Sequence, residues 1–309
     1  MNTAKIIRIA CWAIVAIFLV SVLIVEIVQR DKNNGGILSS IIEHGPNWGL
    51  KISNGGRGTG RNNEGTGYVV GENYYVPVDD IDSINVEWIS GEVFVEPYDG
   101  NEITFSEKAY RELKSDEKLI YEVKNKTLYI KVHESRGVSF FSKDGISKNL
   151  TIRIPAGLAG KLDDLQVSSV SGNIILNELC SRNTFLESTS GKIKLDGFVS
   201  EEVGVTSTSG DVNLSGTFDE IRIAVVSGDI MVVGESCPQK VSMVTVAGNA
   251  ELHIPENDGF KVRFDNVSGS FSCEFPIAIE KNGGTYKDSS ASITMETVSG
   301  DLKIKKTAD

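Results

Sequence analysis

Through the carboxy-terminal half of the chain, apolar and polar residues alternate with period two in short runs. Each run is interrupted by the same kind of step, a Ser-Gly or Ala-Gly pair. Seven such segments follow one another: VSGNIIL from Val170, TSGKIKL from Thr189, TSGDVNL from Thr208, VSGDIMV from Val226, VAGNAEL from Val246, VSGSFSC from Val267 and VSGDLKI from Val298. Their glycines, Gly172, Gly191, Gly210, Gly228, Gly248, Gly269 and Gly300, are separated by 19, 19, 18, 20, 21 and 31 residues. An eighth copy, ISGEVFV from Ile89 with Gly91, lies far upstream. In all eight, the positions seven and five before the glycine and two and four after it are apolar, with the single exception of Thr184. Period two on both sides of the pair predicts strand, tight bend, strand, with one face buried. Glycine suits a bend that needs a positive φ or a backbone approach too close for a Cβ.

A unit of about 19 residues cannot bury its inward face alone, so the repeat predicts a stack of coils. At about 4.8 Å per coil the seven clustered copies make a rod of roughly 30 Å, with aliphatic ladders inside and the bends along one edge. The constant place of the bend and the even spacing favour this all-β solenoid, residues 161–309, over a sandwich of hairpins. The last spacing, 31 residues, predicts an insertion around Lys281-Asn-Gly-Gly-Thr. Residues 74–160 are strand-rich but irregular. Ile103-Thr-Phe, Ile120-Tyr-Glu-Val and Leu128-Tyr-Ile-Lys-Val alternate, Lys124-Asn-Lys reads as a hairpin turn, and Leu150-Thr-Ile-Arg-Ile ends at Pro155. This part is expected to cap the membrane-proximal end, since an open sheet end invites edge pairing.

The amino-terminal pattern is different. Ile9 to Val28 carries one charged side chain, Glu26, in twenty positions, matching the roughly 20 residues that cross a hydrocarbon core of about 30 Å. The run is longer than the apolar core of a cleaved signal and leaves through Glu26-Ile-Val-Gln-Arg30 with no A-x-A site, so a retained single-pass anchor is expected. Lys5 and Arg8 place residues 1–8 in the cytoplasm and the remainder outside the cell. Residues 29–73 are rich in Gly and Asn and read as a tether. Gly56-x-Gly58 within it is followed by Arg61 where a dinucleotide fingerprint needs glycine, and no Lys-Ser/Thr pair closes a phosphate loop.

Charge and chemistry narrow the function. The net charge is −11, and removing Lys5, Arg8 and Glu26, together +1, leaves −12 beyond residue 28. An acidic body disfavours nucleic acid and strongly anionic polymers as partners. Cys11 lies in the apolar run and Cys180, Cys237 and Cys273 are an odd remainder, so no disulfide framework is expected. His44, His133 and His253 have no metal-ligand spacing, no G-x-S-x-G elbow occurs, and no small-molecule substrate, metal or cofactor is expected. The one stacked polar column in view is the bend serine with Asp211, Asp229 and Asp301, interrupted by Asn249 and Ser270. Those acids are expected to accept hydrogen bonds from the turn backbone rather than to hold calcium or to serve a polysaccharide-cleaving site.

The string IDSINVEWISGEVFVEPYDGNEITF, then LTIRIPAG, then the serial VSGDI and TSGDV units resemble the bacterial "putative adhesin" domain of envelope proteins, LiaG-like membrane-anchored ones among them, over roughly residues 76–306. The resemblance implies a β-solenoid exposed at the cell envelope and, in some members, association with envelope-stress systems. It implies no ligand and no catalytic set. Ala247 and Ser270 depart from the usual motif. Two functional classes follow. One is a non-enzymatic binding scaffold that meets an envelope protein, wall polymer or surface. The other is an accessory regulator that reports envelope damage through a membrane partner, since the residues before the anchor are too few for a signalling domain. A polysaccharide-acting β-helix enzyme is a more distant expectation.

Overall fold

The computed structural model describes residues 69–79, 81–132, 146–288 and 290–307. The expected cytoplasmic end, the anchor at 9–28 and all but the last few residues of the tether lie outside the described residues. Among the described residues no helix is long and apolar enough to cross a membrane.

Among the described residues the structure is all-β, 21 strands in one continuous hydrogen-bonded sheet, with one one-turn helix at Ala156–Ala159. Each repeat forms one coil: an arm running into the Ser-Gly bend and an arm running out of it. Successive coils pair in parallel with equivalent residues opposite each other. Before the bend, Val86, Val167, Leu186, Val205, Ile223 and Met243 form one file. After it, Val93, Ile174, Ile193, Val212, Ile230 and Ala250 form another. The four apolar positions of every copy are buried except Phe271 and Cys273. Each fully buried aliphatic side chain contributes about 1.5–3 kcal/mol, and most of what covers it comes from the coils above and below. That is why the unit folds only as a stack.

Thr184, the exception in the apolar columns, is fully buried with its hydroxyl satisfied. It bonds to Ser181 and, at 3.3 Å, to Ser200. The substitution is tolerated because Ser181 on the same strand and Ser200 on the neighbouring coil supply hydroxyls at the same depth.

The coils do not stack in chain order. Lys240–Ala247 pairs with Ala291–Ser299, and Ala291–Ser299 pairs in turn with Gly259–Ser268. The Gly300 coil therefore lies between the Gly248 and Gly269 coils, correcting the expectation that successive copies are neighbours. The long last spacing makes this possible. After Cys273 the chain forms a hairpin, Ala278–Glu280 with Gly283–Lys287, whose second strand lies antiparallel to Gly259–Arg263. It then returns inside. The exchange buries Ile293, Met295, Leu302 and Ile304 between two coils and leaves the poorer copy, with Phe271 and Cys273, at the end. There Phe260, Phe275 and Tyr286 cover the arm before the bend, with ring centroids 5.0–5.5 Å apart.

At the other end Ser83–Ser90 and Val93–Tyr98 form the first coil, pairing directly with the Gly172 coil. The upstream copy thus continues the stack. Beyond it, Lys148–Pro155, Glu102–Ala109 and Val69–Pro77 extend one arm, while Thr127–Val132 and Leu119–Lys124 extend the other. Asn125 and Lys126, with φ of 51° and 62°, make the two-residue hairpin turn between the last two strands. A buried ion pair ties this cap together. Lys148 Nζ lies 2.7 Å from Glu107 Oε2 and donates to the Glu117 carbonyl at 2.6 Å, and Glu107 Oε1 accepts from the Leu119 amide at 2.9 Å. With these bonds made, neither charge is left uncompensated.

Candidate functional site

The bends form the most regular surface of the structure. In stacking order their glycines are Gly91, Gly172, Gly191, Gly210, Gly228, Gly248, Gly300 and Gly269. Each rung is held by two backbone bonds to the next, from the glycine amide to the carbonyl of the residue before the next glycine and from the residue two after the glycine to the carbonyl one after the next. In the Gly191 bend these are Gly191 N to Ser209 O at 3.1 Å and Ile193 N to Asp211 O at 3.0 Å. The glycine is required by two effects at once. Gly210 has φ of 134°, and a Cβ there would stand 2.1 Å from the Gly191 carbonyl oxygen. The same clash, 1.8 Å from the Gly91 carbonyl oxygen, holds at Gly172, where φ is not in the positive region. Close stacking, more than backbone conformation, is thus what the repeat demands throughout.

The residue after the glycine adds a side-chain ladder. The Lys192 amide donates to Asn173 Oδ1 at 3.0 Å, Asp229 to Asp211 at 3.3 Å, Asn249 to Asp229 at 2.8 Å, Asp301 to Asn249 at 3.1 Å and Ser270 to Asp301 at 2.7 Å. The bond runs from coil to coil, not within one turn. Since the Gly300 coil precedes the Gly269 coil in space, Ser270 ends the row and does not interrupt it. Lys192 beside Asp211, with the Asp229 amide, holds the Asp211 carboxyl below its usual range, and the Ser270 amide and hydroxyl do the same for Asp301. Carboxylates kept ionised and already bonded to backbone are poorly suited to general acid work at neutral pH.

The flanking columns face outward. Two residues before the glycine stand Ile89, Val170, Thr189, Thr208, Val226, Val246, Val298 and Val267 in stacking order, with Val170 46% and Val267 83% exposed. The adjacent serines, Ser171, Ser190, Ser209, Ser227, Ser299 and Ser268, are exposed too. At about 4.8 Å per rung the eight rungs make an edge about 34 Å long.

A second polar column, three residues before the glycine, escaped the sequence reading. Ser169, Ser188, Ser207, Thr245 and Thr297 are buried there. The signal was present in their parity, which matches the apolar columns. Among the described residues no group of three His, Cys, Asp or Glu side chains could hold a metal ion. Burial pushes the Cys237 thiol up to about 11 and raises that of Cys273 as well, so neither is a thiolate at neutral pH. His44 and His133 lie outside the described residues, and His253 pairs with Glu251.

Residues 81–305 match the family model described as Toastrack DUF4097. No curated protein matches. Among solved structures the chain is similar to a "putative adhesin" from Bacteroides fragilis, at 16% identity and TM-score 0.44 over 77% of this chain and 96% of that one. It is similar to a "putative cell adhesion protein" from Clostridium sporogenes at 14% identity and TM-score 0.34, over 78% of this chain and 99% of that one. A "putative lipid binding protein" from Parabacteroides distasonis is similar at 12% identity and TM-score 0.35, over 77% and 96%. The family model spans well over half of the sequence, and the chain belongs to the Toastrack DUF4097 family.

Proposed function

We propose that the chain is a non-enzymatic binding scaffold of the cell envelope, held at the membrane by the apolar segment at residues 9–28 and presenting the bend edge to a partner protein or surface. The observation that carries this reading is the division of labour along the stack. Inward positions and the bend backbone are committed to holding coils together, while the two columns beside the glycines are exposed or half-buried and make no side-chain bond that their replacement would break. Such a ladder of β-branched and hydroxyl side chains offers many weak, evenly spaced contacts, which suits an extended ligand better than a pocket-sized one. The acids of the edge are engaged with backbone and with Lys192, which supports binding over hydrolysis.

The test is proximity labelling in intact cells with the enzyme tag at the carboxy terminus, comparing the native chain with Thr189→Lys/Thr208→Lys, a neighbouring pair exposed on the edge. The reading expects labelled envelope components outside the membrane and their loss in the variant, with melting temperature unchanged. Unaltered labelling by the variant, or labelling confined to cytoplasmic proteins, would contradict it.

A further inference from the structure

The buried hydroxyl column leads beyond the outer surface. In stacking order it reads Trp88, Ser169, Ser188, Ser207, Val225, Thr245 and Thr297, each directly opposite the next across paired strands. The five hydroxyl residues are 2–7% exposed, and none of their oxygens has a hydrogen-bond partner in the protein. Buried hydroxyls elsewhere in the stack do find partners. Ser200 Oγ, for example, lies 3.1 Å from the Arg182 carbonyl and 2.9 Å from that of Glu202. Among the fully buried serines and threonines the orphans belong to this column; the other unpartnered hydroxyl, that of Thr307, is on a half-buried residue.

A buried hydroxyl without a partner is destabilising, and a file of five would be a heavy load on one seam of the stack. Neighbouring rungs, about 4.8 Å apart, are too distant for hydroxyls to bond one another at about 2.8 Å. One water about 2.8 Å from both fits, subtending an angle of about 118°, close to tetrahedral. A hydroxyl both donates and accepts, so the bridge can continue from rung to rung. Depth is available as well. The same register position holds a buried indole in Trp88, which reaches much farther than a serine, and in Val225 a second γ-carbon where serine has a single oxygen.

We propose that Ser169, Ser188 and Ser207, and beyond Val225 the pair Thr245 and Thr297, hold a file of ordered waters inside the stack, one bridging each successive pair. Trp88 closes the file at the capped end, its indole N–H donating to the Lys148 carbonyl at 2.7 Å. Val225 divides it. Past Thr297 the column reaches Asn266, which is exposed, so the second segment opens toward the terminal coil.

Ser188, the centre of the longer segment, provides the test by thermal denaturation of the full chain. Ser188→Ala takes one partner from each of two waters and is expected to lower Tm by roughly 2–4 °C. Ser188→Thr keeps the hydroxyl that both waters need, as Thr245 and Thr297 do in the same column, and is expected to recover at least half of that loss. In a dry seam the order reverses, since alanine removes an unsatisfied hydroxyl while threonine keeps it and adds a methyl group. A rise or no change in Tm for Ser188→Ala, or a lower Tm for Ser188→Thr than for Ser188→Ala, overturns the proposal. A crystal structure of the chain gives the second reading: water density between Ser169, Ser188 and Ser207 supports the file, and hydroxyls bonded to backbone carbonyls with no density between rungs overturns it.

Discussion

At the bend, a single missing Cβ decides whether two coils can touch. Gly210→Ala would place a carbon 2.1 Å from the Gly191 carbonyl oxygen and hold alanine at φ of 134°. Strain of this kind costs about 1–3 kcal/mol from conformation alone, and separating the rungs to relieve the contact would weaken their backbone bonds as well. Gly157, in the one-turn helix, has nothing within 4 Å of where its Cβ would stand. We therefore expect Gly210→Ala to lower the urea midpoint substantially and Gly157→Ala to leave it unchanged or raise it slightly, a gain of up to about 1 kcal/mol in unfolding free energy. Equal effects at both positions would mean that coil contact is not what the repeat glycines protect. The glycine spacing was legible in the sequence because each copy repeats the same steric demand. The hydroxyls of Ser169, Ser188 and Ser207 were not, because a serine in an alternating strand reads as outward-facing unless its parity is counted from the bend.

Arms and coils are the scale at which sequence and structure part. Period-two alternation located the strands of every copy, including the short arm after Gly269, because one face of each is buried against a neighbour. It could not say which neighbour. The Gly269 and Gly300 copies carry the same motif, so alignment defines the unit while leaving the stacking order open. The one trace of the exchange was the 31-residue spacing. Its energetic content is large. The Gly300 coil buries Ile293, Met295, Leu302 and Ile304 between two other coils. At about 1.5–3 kcal/mol each, their removal forfeits on the order of 6–12 kcal/mol, comparable with the whole net stability of a domain. Deleting residues 291–309 is thus expected to abolish cooperative unfolding in a circular-dichroism melt. Were this coil the last of a sequential stack, the shortened chain would still melt cooperatively with a modestly lower Tm.

For the molecule as a whole, the stacking order sets which side chains stand together on the exposed edge and where the interior is closed. It places Val298 between Val246 and Val267, makes Ser270 the end of the bend ladder, and leaves Phe271 and Cys273 at the open end. The functional reading rests on that arrangement, since the columns offered to a partner exist only if the bends align in this order. Oxidative cross-linking measures it directly in a chain whose own cysteines are replaced. Ala247 lies opposite Ser299, and Ser299 opposite Ser268. Neighbouring rungs at about 4.8 Å are within disulfide reach, and rungs two apart, at about 9.6 Å, are not. The order described here predicts a disulfide in Ala247→Cys/Ser299→Cys and none in Ala247→Cys/Ser268→Cys. The opposite pattern would contradict it.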